Sequence, residues 1–208
     1  MNFVKKNQII NLLLSLIIPL LIWGPFFPDL IVSFSALFFL YNRFNNNNFY
    51  YFNNKPFIIF LLFLIIIIVS SLEAVDVSQS IISSLAYFRI GVFSCLVWYL
   101  IENDRSILNY FYYILVICFS ALVIDGYLQF FTGLNIIGLA KSGVRISSFF
   151  GDELIMGSYL SRLFPLLFAL FLIKKKIKYE IYYIGVLFIL VDILIYISGE
   201  RASFFFLN

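Results

Sequence analysis

Along this chain long apolar runs alternate with short polar interruptions, and the runs have no wet side. Residues 57–69 are apolar at every position, so neither a helix nor a strand built from them turns a polar face to water. Apolar segments fall near residues 8–23, 30–42, 56–71, 85–101, 106–124, 154–173 and 181–199. Most run for roughly 16–20 residues without the period-two alternation of barrel strands, which favours spanning helices. Helices also satisfy their own backbone hydrogen bonds in lipid, whereas strands need a closed barrel. The pattern predicts an all-α fold: a polytopic integral membrane protein of about seven transmembrane helices, with residues 1–208 as a single transmembrane domain. The second run is short and closely follows Pro25 and Pro28, so the first two predict a tight helical hairpin.

The interruptions differ in kind. Asn45 to Asn48, with Asn53 and Asn54, form a low-complexity polar loop. The longest connection, residues 125–153, carries Gly126, Gly133, Gly138, Gly143 and Gly151 among apolar residues. A segment neither hydrophilic nor long enough to cross twice predicts an interfacial or re-entrant loop. At the end of the sequence, Ala202 to Asn208 reads as an apolar run only just begun. That predicts a further span and makes this chain the N-terminal portion of a larger protein.

Composition agrees with the pattern. Hydrophobic residues make up 63% and charged residues 12%, far from the roughly one-quarter charged residues of a soluble domain. The only dense basic cluster, Lys174, Lys175, Lys176 and Lys178, lies between two apolar segments. It reads as a topology anchor and not as a nucleic-acid surface. Cys95 and Cys118 both sit inside apolar runs and read as packing residues. Lys5 and Lys6 precede the first run, and no small-residue cleavage site follows it. The first run is therefore expected to be an uncleaved helix.

Alternate loops fix an orientation. One side holds Lys5, Lys6, Arg43, Lys55, Arg105 and the four-lysine cluster. The other holds Arg89, Lys141, Arg145, Arg162 and Arg201. The first side, with the N-terminus, is expected in the cytoplasm. Asp29, Glu73, Asp76, Asp125, Asp152, Glu153 and Glu200 fall on the outer side, so a site is expected on that face.

Charges inside a bilayer cost roughly 2.5–3.5 kcal/mol on insertion scales, so each calls for a reason. Arg162 and Asp192 lie at comparable depth on two consecutive antiparallel runs. They are expected to face each other or a shared polar cavity, as a plain ion pair between helices or as part of a site. Arg89 lies near the outer end of its run, where snorkelling to the interface would account for it. Together Arg89, Arg145, Arg162 and Arg201 put four arginines toward the outer half, against the single lysine Lys141. A guanidinium fork grips phosphate oxygens bidentately and keeps its proton, so this preference suits a phosphate-bearing ligand. Asp152 and Glu153 read either as an N-cap of the following helix or as a base or cation ligand. The chain has no histidine, which removes a histidine base and histidine-ligated metal; no metal site and no cofactor are expected.

Two stretches carry a family resemblance. The first runs from Arg145 through Ile-Ser-Ser-Phe-Phe-Gly-Asp-Glu-Leu-Ile-Met-Gly-Ser-Tyr-Leu-Ser to Arg162-Leu-Phe-Pro165, and the second is Ser198-Gly-Glu-Arg201-Ala202. With Asp125-Gly-Tyr-Leu-Gln-Phe-Phe-Thr-Gly-Leu-Asn upstream, they resemble the O-antigen ligase and O-antigen polymerase superfamily of the bacterial envelope. The likeness covers roughly residues 125–203, and the first half agrees only in hydropathy. Many members carry Asn-Pro-Asn where this chain has Asp152-Glu153-Leu154, which leaves ligase or polymerase open. The resemblance implies a metal-independent enzyme of lipopolysaccharide or surface-polysaccharide assembly in the bacterial inner membrane, its site facing the periplasm. It would pass a glycan from a polyprenyl diphosphate carrier to an acceptor hydroxyl, on lipid A–core or another carrier-linked glycan. By position Arg201 matches the family's diphosphate-contacting, catalytic arginine, with Arg145 a second contact for carrier or glycan. Arg89 and Arg162 join them as candidate diphosphate or glycan contacts on the outer half. Members carry a later outer loop with further arginine and, in ligases, an acceptor-activating histidine, so residues 1–208 alone are expected to be inactive.

Two other classes compete. A transporter or flippase of lipid-linked oligosaccharides would gather its charges around a midplane cavity of broken helices or repeats, and no internal repeat is visible here. A membrane scaffold would carry the same charges as structural elements only.

Overall fold

The computed structural model describes residues 3–47, 49–141, 143, 145–174 and 179–207, and among them the chain is helical without strands. In order these helices are α1 (Phe3–Ser15), α2 (Ile17–Trp23), α3 (Phe26–Asn45), α4 (Lys55–Ser71) and α5 (Val77–Ala86). They continue with α6 (Phe88–Asn103), α7 (Ser106–Thr132), α8 (Met156–Ile173), α9 (Glu180–Ser198) and α10 (Arg201–Leu207). Four stretches are long and apolar enough to cross a membrane: Val77–Asn103, Ser106–Thr132, Met156–Ile173 and Glu180–Ser198. The expected first and third spans are shorter apolar helices, Gln8–Trp23 and Lys55–Ser71. The first breaks at Leu16, because Pro19 has no N–H for the Ser15 carbonyl. The expected second span lies within α3, which begins already at Phe26. Lys175, Lys176 and Lys178 of the expected anchor lie outside the described residues.

Where one domain is expected, the contacts group into two compact units. Unit 1 takes the chain up to Leu14 and Phe26–Ile107; unit 2 takes Ser15–Pro25 and the chain from Leu108 onward.

In unit 1 side chains cap the starts of α4 and α5. Asn54 accepts the Phe57 N–H at 2.8 Å to open α4, and Asp76 accepts the Gln79 N–H at 3.0 Å to open α5. The buried Ser71 and Ser84 hydroxyls share a hydrogen bond of 2.6 Å between α4 and α5. Gly91 lets α6 approach α4, since a Cβ there would lie 2.2 Å from Phe60 Cε1. The Arg43 guanidinium stacks 4.2 Å from the Tyr99 ring centroid and 5.0 Å from that of Phe39. At the start of α7, Asp104 accepts the Ser106 N–H at 3.0 Å and the Asn11 amide at 2.9 Å. Hydrogen bonding to Ser106 holds the Asp104 carboxyl below the usual range, against the opposing pull of burial; Asn11 adds to the effect.

Unit 2 has the larger core. Leu115, Phe119 and Leu122 of α7 meet Leu160 and Leu167 of α8 and Val191, Leu194 and Ile195 of α9, all fully buried. These positions recur at three- and four-residue spacing, one stripe per helix. Gly126 lets α7 approach α9, because a Cβ would stand 2.9 Å from Leu194 Cδ1. Tyr127 donates to the Leu190 carbonyl at 3.0 Å, and Tyr159 to that of Ile18 at 2.9 Å. Outward positions of α9 such as Ile189 and Tyr182 are apolar or aromatic and exposed, as a lipid-facing helix requires. Beyond the end of α8, Lys174 pairs with Glu180 at 2.9 Å and donates to Tyr113 at 3.1 Å. Burial lowers its pKa, yet the bonds to Tyr113 and Glu180 outweigh that and the net direction is upward.

Candidate functional site

At one end of unit 2 the two residues Gly199 and Glu200 join α9 to α10 and meet the start of α8. Gly199 ends α9 in the left-handed region, φ 77° and ψ 12°, which a residue with a Cβ adopts at a cost. The next residue, Glu200, turns its carboxylate onto the first turn of α8. Its Oε1 accepts the Gly157 N–H at 2.7 Å, and its Oε2 accepts the Ser158 N–H at 2.8 Å and the Ser158 hydroxyl at 2.7 Å. Ser203 donates a further bond to Oε2 at 3.0 Å. Glu200 thus caps α8 from another helix, an anion answering the amides and positive dipole end of an 18-residue helix. Gly157 permits the approach: a Cβ there would lie 2.9 Å from Ser198 Oγ and 3.0 Å from the Glu200 carboxyl.

The same turn gathers two of the expected arginines. Arg145 donates through Nε to the Ser198 carbonyl at 3.0 Å, a cation at the negative end of α9. Its side chain lies over Gly199, where Nε would be 3.4 Å from an added Cβ. Among the described residues its two terminal nitrogens have no hydrogen-bond or ion-pair partner. Arg201, the first residue of α10, is exposed and likewise has none among them.

Arg145 is presented by a loop tied to the last turns of α7. Asp125 and Gln129 are one turn apart on α7 and fully buried. Asp125 accepts the Ile136 N–H at 2.8 Å and the Ser148 hydroxyl at 2.5 Å. Gln129 accepts the N–H groups of Ser147 at 3.0 Å and Ser148 at 2.8 Å. Asn135 closes the knot, donating to the Ser148 carbonyl at 3.0 Å and accepting the Leu139 N–H at 2.7 Å. Ser148 therefore has its N–H, hydroxyl and carbonyl all bound, which holds it at a φ of 52°, unusual for a residue with a side chain.

Several sequence expectations change here. The loop expected to start at Asp125 begins after Thr132, because Asp125 turns inward to bind that loop while Gly133, at φ 83°, ends the helix. Asp152 and Glu153 are exposed and do not cap α8; its N-cap residue is Ile155, without a side-chain bond, and Glu200 takes the capping role. Among the described residues ion pairs join Arg89 to Asp29 and Lys174 to Glu180. Arg162 lies on the exposed side of α8, beside the buried Ser161 and Leu160 rather than on their face. Arg89 belongs to unit 1 and does not snorkel freely: Nη2 binds both Asp29 oxygens at 2.7 and 2.6 Å, and Nη1 binds Ser33 at 2.9 Å.

Sequence reasoning missed the roles of Glu200, Gln129 and Asn135. A readable signal existed for one pair: Asp125 and Gln129 stand four residues apart within an apolar run, a spacing that puts both on one helical face. An apolar cavity of about 470 Å³ also lies in unit 2, lined by residues such as Phe164, Pro165, Gly185 and Phe188; it holds no titratable group. Comparison with models of known protein families, with curated proteins and with solved structures gives no match. The fold and the site define an all-helical protein with four stretches fit to cross a membrane and two arginines at one helix junction.

Proposed function

We propose that this is a polytopic protein of the bacterial inner membrane, with about seven passes and a cytoplasmic N-terminus, that handles lipid-linked glycans at its outer face. Its reaction is transfer of a glycan from a polyprenyl diphosphate carrier to an acceptor hydroxyl, as in O-antigen ligases and polymerases. The observation that carries this reading is the pairing of Arg145 and Arg201 at one turn, with guanidinium nitrogens lacking a protein partner among the described residues. As the acceptor oxygen bonds to the sugar's anomeric carbon, the bond from that carbon to the carrier breaks. Negative charge then grows on the departing diphosphate, and fixed guanidinium groups stabilise it more than they stabilise the ground state. The acceptor's proton passes to a base outside the residues assigned here.

The test replaces Arg201 or Arg145 by alanine in the full-length gene and follows surface polysaccharide by gel, with protein level measured alongside. Expected is loss of the glycan at normal protein level, with lipid-linked donor accumulating on the outer leaflet. Donor trapped on the cytoplasmic leaflet would assign the protein to transport. Unchanged glycan in both variants would leave the arginines a structural role and sink the transfer reading.

A further inference from the structure

We propose that Glu200 is the positioning residue of this cationic site: it fixes Arg201 by bridging two helices and does not itself meet the ligand. The proposal rests on the reading that Arg145 and Arg201 bind a lipid-linked diphosphate. Its basis is how completely Glu200 is used. Oε2 takes three donors, from the Ser158 N–H, the Ser158 hydroxyl and the Ser203 hydroxyl, and Oε1 takes the Gly157 N–H. A carboxylate so bound is a poor partner for a neighbouring arginine, since its lone pairs are taken by the start of α8 and by Ser203. The backbone carbonyl of the same residue accepts the Phe204 N–H at 3.1 Å, the bond that starts α10. Side chain and main chain of Glu200 therefore tie the beginning of α8 to the beginning of α10, and Arg201 is the residue at that joint.

Without the tether the first turn of α10 is held to α8 by packing alone, and Arg201 samples orientations in which its fork no longer meets a diphosphate. Preorganised donors owe their effect to being held in place before the charge develops. The effect of Glu200 should therefore depend on Arg201 being present.

The experiment measures binding of geranylgeranyl diphosphate to the full-length protein in nanodiscs of zwitterionic lipid. Wild type is compared with Arg201→Ala, Glu200→Gln and the double variant. Arg201→Ala is expected to weaken binding roughly tenfold or more, as loss of a charged hydrogen-bond partner does. Glu200→Gln should weaken it by a similar factor although Arg201 remains, and the double variant should bind no worse than Arg201→Ala alone. A merely structural loss would instead multiply with that of Arg201→Ala, and this would overturn the proposal. Wild-type binding by Glu200→Gln, with Arg201→Ala weakened, overturns the positioning role and leaves the diphosphate reading standing. Wild-type binding by Arg201→Ala removes that reading, and the positioning role falls with it. Should Glu200→Gln fail to fold, Ser203→Ala takes away one of the four donors and must give a smaller loss that is again absent in the Arg201→Ala background. Additive losses in that pair overturn the proposal equally.

Discussion

Replacing Gln129 by leucine tests whether the loop carrying Arg145 is held by the α7 knot. The side chains are close in size, so the change removes hydrogen bonding without opening a large cavity. Gln129 is fully buried, and its Oε1 is the acceptor for the Ser147 and Ser148 N–H groups at 3.0 and 2.8 Å. Leucine orphans both amides, at about 1–3 kcal/mol each, or about 2–6 kcal/mol together. The bond from Nε2 to the Leu139 carbonyl is long, at 3.3 Å, and its loss adds little. A loop can shift and admit water, so the lower part of that range, about 2–3 kcal/mol, is expected as the drop in local opening free energy. At a factor of ten per about 1.4 kcal/mol, amide exchange in residues 133–155 should accelerate roughly 30- to 140-fold. Hydrogen–deuterium exchange of the full-length protein in nanodiscs reads this segment by segment. Peptides from the middles of α8 and α9 should keep their protection, because Gln129 bonds only to the loop. Unchanged exchange in 133–155 would refute the knot as the loop's anchor. A rise of equal size across α8 and α9 would show that the residue supports the whole unit instead.

Two further perturbations probe unit 1. Gly91→Ala puts a Cβ 2.2 Å from Phe60 Cε1, so the ring must swing aside; a loss of about 1–3 kcal/mol is expected in thermal unfolding, largely recovered by adding Phe60→Leu. The Asp104 carboxyl titrates below its ordinary 3.8, so its stabilisation is present above that value and is lost as pH falls below it through the folded-state pKa. Asp104→Asn should therefore lower stability at neutral pH and flatten its acid dependence, and parallel acid-unfolding curves for the two proteins would contradict this.

What could be read from the sequence was where along the chain the helices fall, and what could not was direction around each helix. Apolar runs located the helices, since an apolar stretch has few other options in lipid. Depth also put Arg162 and Asp192 on a level. Whether two residues on a level meet depends on azimuth, which the packing of α8 decides through Gly157, Leu160, Phe164 and Leu167. Arg162 falls outside that stripe. The loop boundary failed for a related reason: Asp125 looks like the polar edge of a span, yet it is an inward-facing acceptor seven residues before α7 ends. Arg145 and Arg201 were legible as a pair only through their motifs; no spacing argument brings residues 56 positions apart to one turn. Glu200 was legible as an acid at the end of a run and not as a cap, because its partners belong to a helix more than forty residues earlier.

The contrast between Arg89 and Arg201 shows what separates a structural arginine from an available one. Both lie within reach of an acidic residue. In unit 1 the acid is exposed Asp29, with no helix amides bound among the described residues, and it takes both oxygens to Nη2 of Arg89. That pair is 35% and 52% exposed, so it contributes little stability, about 0–1 kcal/mol, yet it consumes the fork. In unit 2 the acid is Glu200, and the charge that satisfies it comes from backbone amides at the start of α8 and two serine hydroxyls. Those dipoles carry no formal charge, so the carboxylate is stabilised without drawing on a guanidinium. The Ser198 carbonyl does the converse for Arg145, holding it by Nε alone. By letting helix ends answer each charge, the α8–α9–α10 junction brings one anion and two cations to a single turn and leaves the cations' forks unclaimed among the described residues. That separation of charges is the physical requirement for gripping a diphosphate, and it would be lost if Glu200 and Arg201 simply paired.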